Sequence, residues 1–268
     1  MAYQATFKRY ELKYLLSKQE KEKVLEAMAA YMELDKYGRC TIRNIYLDTD
    51  NFRLIRRSLE KPVYKEKLRI RSYRRVEPQD TVFVELKKKY KSVVYKRRLV
   101  LSEKEVMESF RKETPLPLHS QIGDEIEYFR EYYGHLYPAV FLSYEREAYF
   151  MKDGSDFRVT FDENILYRRE NFSLGSSVYG TPLLEEGQTL MEINTSGGIP
   201  LWMSQILTQC HIYKTSFSKY GLAYKNMIAE KIQGGAMGER KAPFEGGQMP
   251  EGQPGEPLEG QDNRMSPA

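Results

Sequence analysis

Apolar and polar positions change sides every second residue through most of the chain. Residues 43–48, 67–73, 82–89, 93–100, 141–150, 157–161 and 190–194 all show this alternation, which is the strand period. Helical spacing interrupts the strands at marked places. Ser17-Lys18-Gln19-Glu20 is a capping box, and Val24, Leu25, Met28, Ala29 and Met32 then follow at helical intervals. Ser102-Glu103-Lys104-Glu105 is a second box, opening a helix that runs to about Arg111. A third helix is predicted over 122–133, stopping at Gly134. Pro200 starts a fourth, carrying Leu201, Trp202, Ile206 and Leu207. The last helix spans about 220–232. No βαβ repeat and no internal repeat occurs. The pattern predicts an α+β domain, an antiparallel sheet or barrel with helices attached.

The polar side of these strands is ionic. Glu11 and Lys13 share a face, as do Arg69 and Arg71, with Leu68 and Ile70 opposite. Glu85, Lys87 and Lys89 lie opposite Val84 and Leu86; Lys96 and Arg98 follow the same rule. Arg146 stands between Tyr144 and Ala148. Arg158, Thr160 and Asp162 alternate with Val159 and Phe161, and Glu192 and Asn194 with Met191 and Ile193. One such strand reads as a solvated outer face. Seven together would make a very large basic surface on a flat sheet. A closed barrel with its ionic side inward gives instead a channel lined by arginine and lysine. Crowded, partly desolvated cations need a counter-charge, and guanidinium forks and ammonium groups both suit phosphate oxygens. The natural occupant is therefore a polyanion with charge at every step. The glutamates among the cations, Glu11, Glu85 and Glu192, either pair with neighbouring lysines or hold Mg²⁺ or Mn²⁺, hard ions that bridge carboxylate and phosphate oxygens.

Composition narrows the class. The 268 residues are 41% hydrophobic and 30% charged, enough apolar material for a core. The net charge is +4, but it is unevenly spread. From Gln233 onward the chain carries three basic and six acidic residues, net −3, which leaves +7 on residues 1–232. That Gly-, Pro- and Glu-rich tail, 233–268, is expected to be disordered, and 1–232 to form the folded domain. Two distant cysteines, Cys40 and Cys210, exclude a disulfide scaffold and fit a reducing, cytoplasmic setting. The three histidines follow no zinc-ligand spacing, and there is no apolar run long enough to span a bilayer.

The ordered motifs resemble a known family. Arg9-Tyr10-Glu11-Leu12-Lys13-Tyr14, Ile45-Tyr46-Leu47-Asp48-Thr49, Leu68-Arg69-Ile70-Arg71-Ser72-Tyr73, Glu85-Leu86-Lys87 and Lys96-Arg97-Arg98 occur in the order seen in the VTC domain. Ser143-Tyr144-Glu145-Arg146, Arg158-Val159-Thr160-Phe161-Asp162, Leu190-Met191-Glu192-Ile193 and Phe217-Ser218-Lys219-Tyr220 continue it. The likeness covers about residues 5–230. That domain is the polyphosphate polymerase module of the vacuolar transporter chaperone, one of the triphosphate tunnel metalloenzymes, a superfamily that includes the CYTH triphosphatases and adenylyl cyclases. The resemblance implies a closed antiparallel eight-stranded β-barrel with flanking helices, its lumen binding ATP, triphosphate or polyphosphate. By it, Lys13, Arg69, Arg71, Lys87, Lys96, Arg98, Arg146, Arg158 and Lys219 are phosphate ligands. Lys13, Arg69, Arg71, Lys87, Arg146, Arg158 and Lys219 among them also act in catalysis. By it Glu192 carries the divalent metal, Mn²⁺ or Mg²⁺, while Glu11 and Glu85 stay open between holding that metal and pairing with lysines. The implied reaction moves the γ-phosphate of ATP onto polyphosphate and releases ADP. The alternatives are hydrolysis of triphosphate or short polyphosphate, and polyphosphate binding without turnover. Nucleic acid is not an expected partner, because an enclosed lumen offers no open stacking face.

Two positions depart from the family pattern. The CYTH branch opens with Glu-x-Glu-x-Lys, and here Arg9 replaces the first glutamate, which favours the VTC branch. Family members often carry a lysine two residues after the metal glutamate, where this chain has Asn194. Ser196-Gly197-Gly198 is read as a turn, Trp202 as core, and Tyr46, Tyr73 and Tyr144 as packing residues within reach of phosphate.

Overall fold

The computed structural model describes residues 6–234. Its strands are β1 (Thr6–Leu16), β2 (Met32–Leu34), β3 (Cys40–Asp48), β4 (Tyr64–Ser72), β5 (Thr81–Tyr90), β6 (Val93–Ser102), β7 (Tyr137–Met151), β8 (Phe157–Arg168), β9 (Thr181–Pro182) and β10 (Thr189–Thr195). The helices are α1 (Lys18–Met28), α2 (Arg53–Leu59), α3 (Glu103–Lys112), α4 (Gln121–Tyr133), α5 (Leu201–Gln209) and α6 (Lys219–Gly234). The tail expected to be disordered lies, from residue 235 on, outside the described residues.

All sheet pairings are antiparallel. The order β7-β3-β4-β5-β6-β1-β10-β8 returns to its start because β7 also pairs with β8. Eight strands therefore form a ring, with β2 and β9 as short additions at its margins. Closure leaves the eight main strands without a free edge. It also gives the sheet one concave and one convex side, so the alternation read from the sequence divides into inward and outward sets.

The outward set is apolar and lies under helices. Ile45, Leu47, Leu68, Ile70, Val82, Val84, Leu86 and Leu99 form one core with Val106 and Phe110 of α3 and Ile126, Phe129 and Tyr133 of α4. Tyr14, Leu16, Val159, Phe161, Met191 and Ile193 form another with Val24 and Met28 of α1 and Met203 and Leu207 of α5. Each buried aliphatic side chain of this kind contributes about 1.5–3 kcal/mol. Both expected capping boxes form: Ser17 and Ser102 accept from the backbone N–H groups of Glu20 and Glu105, whose carboxylates accept in return.

A third cluster sits differently. Tyr220, Ala223 and Met227 of α6 pack with Tyr46, Leu142 and Tyr144 of β3 and β7. Tyr46 and Tyr144 belong to the inward set, so α6 meets the ring at one mouth. Two anchors hold it there. Ser218 caps its first turn by accepting from the Gly221 N–H at 3.1 Å, and the Tyr220 hydroxyl donates to buried Asp48 at 2.8 Å.

Candidate functional site

Several polar contacts join strands that are not hydrogen-bonded neighbours. Lys87 of β5 reaches Glu11 of β1 at 2.6 Å, Arg146 of β7 reaches Glu192 of β10 at 3.2 Å, and Arg71 of β4 donates to the Tyr144 hydroxyl of β7 at 2.9 Å. Contacts that skip a strand require the concave side of a curved sheet. The ionic set therefore converges on the interior of the ring. The inward face carries every residue singled out from the sequence: Glu11, Lys13, Arg69, Arg71, Glu85, Lys87, Lys96, Arg98, Arg146, Arg158, Glu192 and, from the start of α6, Lys219.

These residues form two constellations. The first surrounds Glu85, which has no exposed surface. Register places Glu85 directly between Arg69 of β4 and Arg98 of β6. Arg69 donates to one carboxylate oxygen at 2.6 and 2.8 Å, and Arg98 to the other at 2.5 and 2.9 Å. Lys96 stands at 3.6 Å and Arg71 at 3.8 Å. Burial alone would raise the Glu85 carboxyl, but Lys96, Arg69, Arg71 and Arg98 outweigh it and hold it well below the usual range. Three tyrosines and an asparagine fix the guanidinium groups. Tyr46 accepts from Arg69, Tyr144 and Asn44 accept from Arg71, and Tyr73 accepts from Arg98.

The second constellation holds three carboxylates. Arg146 forks onto Asp162 at 2.5 and 2.6 Å and also touches Glu192. Lys219 contacts Asp162 at 2.5 Å and Glu192 at 2.9 Å. The Lys13 ammonium lies between Glu11 at 3.1 Å and Glu192 at 3.0 Å. Burial opposes every charge here, yet mutual pairing prevails: Glu11 and Glu192 are pushed down, and Lys13, Lys219 and Arg146 are pushed up.

Compensation is weaker at some inward groups. The Arg158 guanidinium stacks over Phe150 at 4.6 Å, while its buried Nε has no hydrogen-bond partner among the described residues. Burial and the nearby Arg146 lower its pKa to about 10. Thr160, two residues on and on the same face, has a buried Oγ1 that is also unpartnered. Lys67 donates to Ser218 at 3.0 Å, but burial and the charges of Lys87, Lys13 and Lys65 lower it to about 7. Lys96 is likewise lowered to about 7, by burial and the surrounding arginines, against the pull of Glu85.

Sequence reasoning did not single out Asp162, Lys67, Asn44 or Ser218 as site residues. Asp162 was visible as the third polar position of its strand, and Lys67 as the inward neighbour two residues before Arg69. Asn194 lies between Glu11 and Arg158 by register, so the position where the family resemblance leads to a lysine presents an amide to this interior. Arg9 lies near Asp156 at 3.7 Å and brings no second carboxylate to the start of β1. Trp202 is half-buried, stacked on Tyr31 and edge-on to Phe157.

A divalent cation would need hard oxygen donors aimed at one point. Among the described residues, no group of three His, Cys, Asp or Glu side chains has that arrangement. Glu11 and Glu192 do converge on one cation position, the one taken by the Lys13 ammonium. Two carboxylates with substrate phosphate oxygens and water are a usual Mg²⁺ environment, so this pair fits such an ion. Glu85 fits poorly, since four cations already surround its oxygens.

The VTC domain family matches residues 8–228. No curated protein matches the chain in sequence. One solved structure shares the fold, and others are similar at lower scores. A Bacillus halodurans protein provisionally assigned as an adenylate cyclase superimposes with a TM-score of 0.52 at 16% identity, over 80% of this chain and 96% of that one. A Vibrio parahaemolyticus protein with the same provisional assignment gives 0.41 at 12% identity, over 85% and 99%. The PH1819 protein of Pyrococcus horikoshii gives 0.41 at 14% identity, over 82% and 99%. Among the described residues, no helix is long and apolar enough to cross a membrane.

Proposed function

The chain belongs to the VTC domain family, and from that premise we propose that it is an ATP–polyphosphate phosphotransferase working inside a closed barrel. The observation that carries the reading is the pair of unpartnered polar atoms on the inward face of β8. Among the described residues, Arg158 Nε and Thr160 Oγ1 are buried without a partner, beside cations already in excess. Such groups are costly unless something supplies acceptors. A linear phosphate chain supplies acceptor oxygens and negative charge together.

In this reading Arg69, Arg71, Arg98, Arg146 and Arg158 grip the phosphate oxygens, with Lys13, Lys87, Lys96 and Lys219. Glu85 holds Arg69 and Arg98 at their working angle and takes no metal. The terminal oxygen of a polyphosphate chain attacks the γ-phosphorus of ATP. The bond between that phosphorus and the β–γ bridging oxygen breaks, and ADP leaves with the electron pair. A terminal phosphate is already largely ionised near neutrality, its second pKa being about 6, so no side chain need act as general base. The arginines neutralise charge spread over the equatorial oxygens, and catalysis comes from alignment and fixed positive charge. Glu11 and Glu192 are the residues to hold Mn²⁺ or Mg²⁺, which supplies further charge neutralisation on the phosphates when bound. With Arg9 in place of a second β1 glutamate, the two-carboxylate arrangement of a CYTH-type hydrolase is incomplete, which favours transfer over hydrolysis.

The test incubates the protein with ATP and Mn²⁺, with and without a short polyphosphate primer. Transfer gives ADP and lengthening chains. Orthophosphate without chains identifies a hydrolase, and neither product, with thermal stabilisation by tripolyphosphate, identifies a binding module. Glu192→Gln is expected to remove metal-dependent turnover more than metal-free tripolyphosphate binding. Equal loss of both would refute its metal role.

A further inference from the structure

The ring interior is electrically lopsided. In the constellation around Glu192, carboxylates and cations pair closely. At the mouth where α6 sits, lysines face lysines. Register places Lys65 opposite Lys89 and Lys67 opposite Lys87 across β4 and β5, and Lys87 opposite Lys96 across β5 and β6. Like charges directly across an antiparallel pair are destabilising, and three such pairs follow one another on one inward face. Lys214, bridged to β1 through Tyr14, adds its charge to Lys89. Among the described residues, no carboxylate forms an ion pair with Lys65, Lys67, Lys89 or Lys214. Lys65 donates to the Ser58 carbonyl at 3.2 Å, and Lys67 to the Ser218 hydroxyl, with the Tyr220 ring 5.9 Å from its ammonium. Burial and neighbouring lysines lower Lys65, and they also lower Lys89 despite the pull of Glu11.

Resting on the phosphate-channel reading above, we propose that Lys65, Lys67, Lys89 and Lys214 form a chain-length subsite, which engages polyphosphate extending past the central arginines and which tripolyphosphate does not reach. The arginines around Glu85 and the cations around Glu192 hold the reacting phosphates. Phosphates beyond them enter the lysine mouth and take up its uncompensated charge one after another. A compact anion gains nothing there, because it is already matched by the arginines. The mouth thus discriminates by length and not by the chemistry of the terminal group.

The experiment compares tripolyphosphate with long-chain polyphosphate by calorimetric titration in the metal-free protein. The variants are Lys65→Ala/Lys89→Ala, Lys214→Glu, and Lys65→Arg/Lys89→Arg. Wild type is expected to bind the long chain more tightly per molecule, and more steeply salt-dependently, than tripolyphosphate. Lys65→Ala/Lys89→Ala combined with Lys214→Glu should weaken long-chain binding about tenfold, as three lost surface-type ion pairs imply. Tripolyphosphate affinity should stay within about twofold, and the arginine pair should retain long-chain binding. Because these lysines repel one another, the ligand-free alanine variant should melt no lower than wild type, which separates the effect from misfolding. Equal losses for both anions, or no loss for the long chain, would overturn the subsite alone. Failure of wild type to bind tripolyphosphate at all would overturn the channel reading beneath it. Single-stranded RNA serves as a third probe, and RNA binding that is lost in the same variants would mark a general polyanion groove and also overturn the proposal.

Discussion

Glu85→Gln removes one negative charge from the most enclosed point of the ring while keeping its shape. In wild type the carboxylate receives four hydrogen bonds from Arg69 and Arg98, with Lys96 and Arg71 close by. The amide can accept on one arm only, so one guanidinium is left facing a donor and four cations lose their shared counter-charge. Removing one member of a buried ion pair costs about 3–5 kcal/mol. The cations keep some contact with solvent, with side-chain exposures of 5–20%, so the lower end applies, about 3 kcal/mol. For a domain of this size that is a fall in Tm of roughly 6–12 °C. The effect depends on pH with a definite sign. The folded carboxyl is held well below its ordinary value of 4.5. Its contribution is therefore complete above 4.5 and is lost as pH falls below that, so the gap between wild type and variant should close in acid. Tripolyphosphate brings replacement negative charge to the same arginines and should also narrow the gap. Urea unfolding at neutral and acid pH, with and without tripolyphosphate, measures all three effects. A loss under about 1 kcal/mol at neutral pH, or a gap that ligand does not narrow, would refute the hub role.

Arg158→Ala should abolish most of the thermal stabilisation by tripolyphosphate while leaving the ligand-free Tm unchanged or higher, because among the described residues the guanidinium has no ion-pair partner to lose; a large drop in the ligand-free Tm would count against it. Lys67 and Lys96 titrate near 7 in the fold and at 10.5 when unfolded. The unfolded chain thus binds more protons between those values, so ligand-free stability should rise from pH 7 towards 10 as affinity for long-chain polyphosphate falls. Parallel pH trends in the two measurements would contradict this. Asp48→Asn weakens the cap on α2 and the anchor on Tyr220, which should cost about 1–3 kcal/mol. By loosening the seat of Lys219 it should also raise KM for ATP more than it lowers kcat, and steady-state kinetics beside urea unfolding would show whether both follow.

The strands, both capping boxes and the two-sided alternation were legible because they are local signals with period two or fixed spacing. Helix α2 was not. Its N-cap position is Phe52, in the left-handed region at φ 59°, with no capping side chain of its own. The cap comes from Asp48, upstream, whose carboxylate accepts from the N–H groups of Leu54 at 2.8 Å and Ile55 at 3.0 Å. Strands β7 and β8 run past the expected bounds because their added residues, such as Val140, Ile165 and Tyr167, are buried on either side and lose the alternation. Within the site, alternation assigned residues to the inward face but carried no register. Only register sets Glu85 between two arginines and Lys65 opposite Lys89. For the same reason Glu85 read as a metal candidate, when its surroundings are entirely cationic. Tyr46, Tyr73 and Tyr144 read as packing residues, yet each hydroxyl steadies an arginine.

The first strand of the ring has its two partners far along the chain: β6 begins at Val93 and β10 ends at Thr195. A ribosome adding 5–20 residues per second needs roughly five to twenty seconds to go from the end of one to the end of the other. Through that interval β1 has an open hydrogen-bonding edge and an apolar face with no α5 to cover it. Nascent chains of this protein therefore pass through a period in which an unsealed sheet can pair with another chain, and production at lower temperature or with a holdase chaperone should raise the soluble yield.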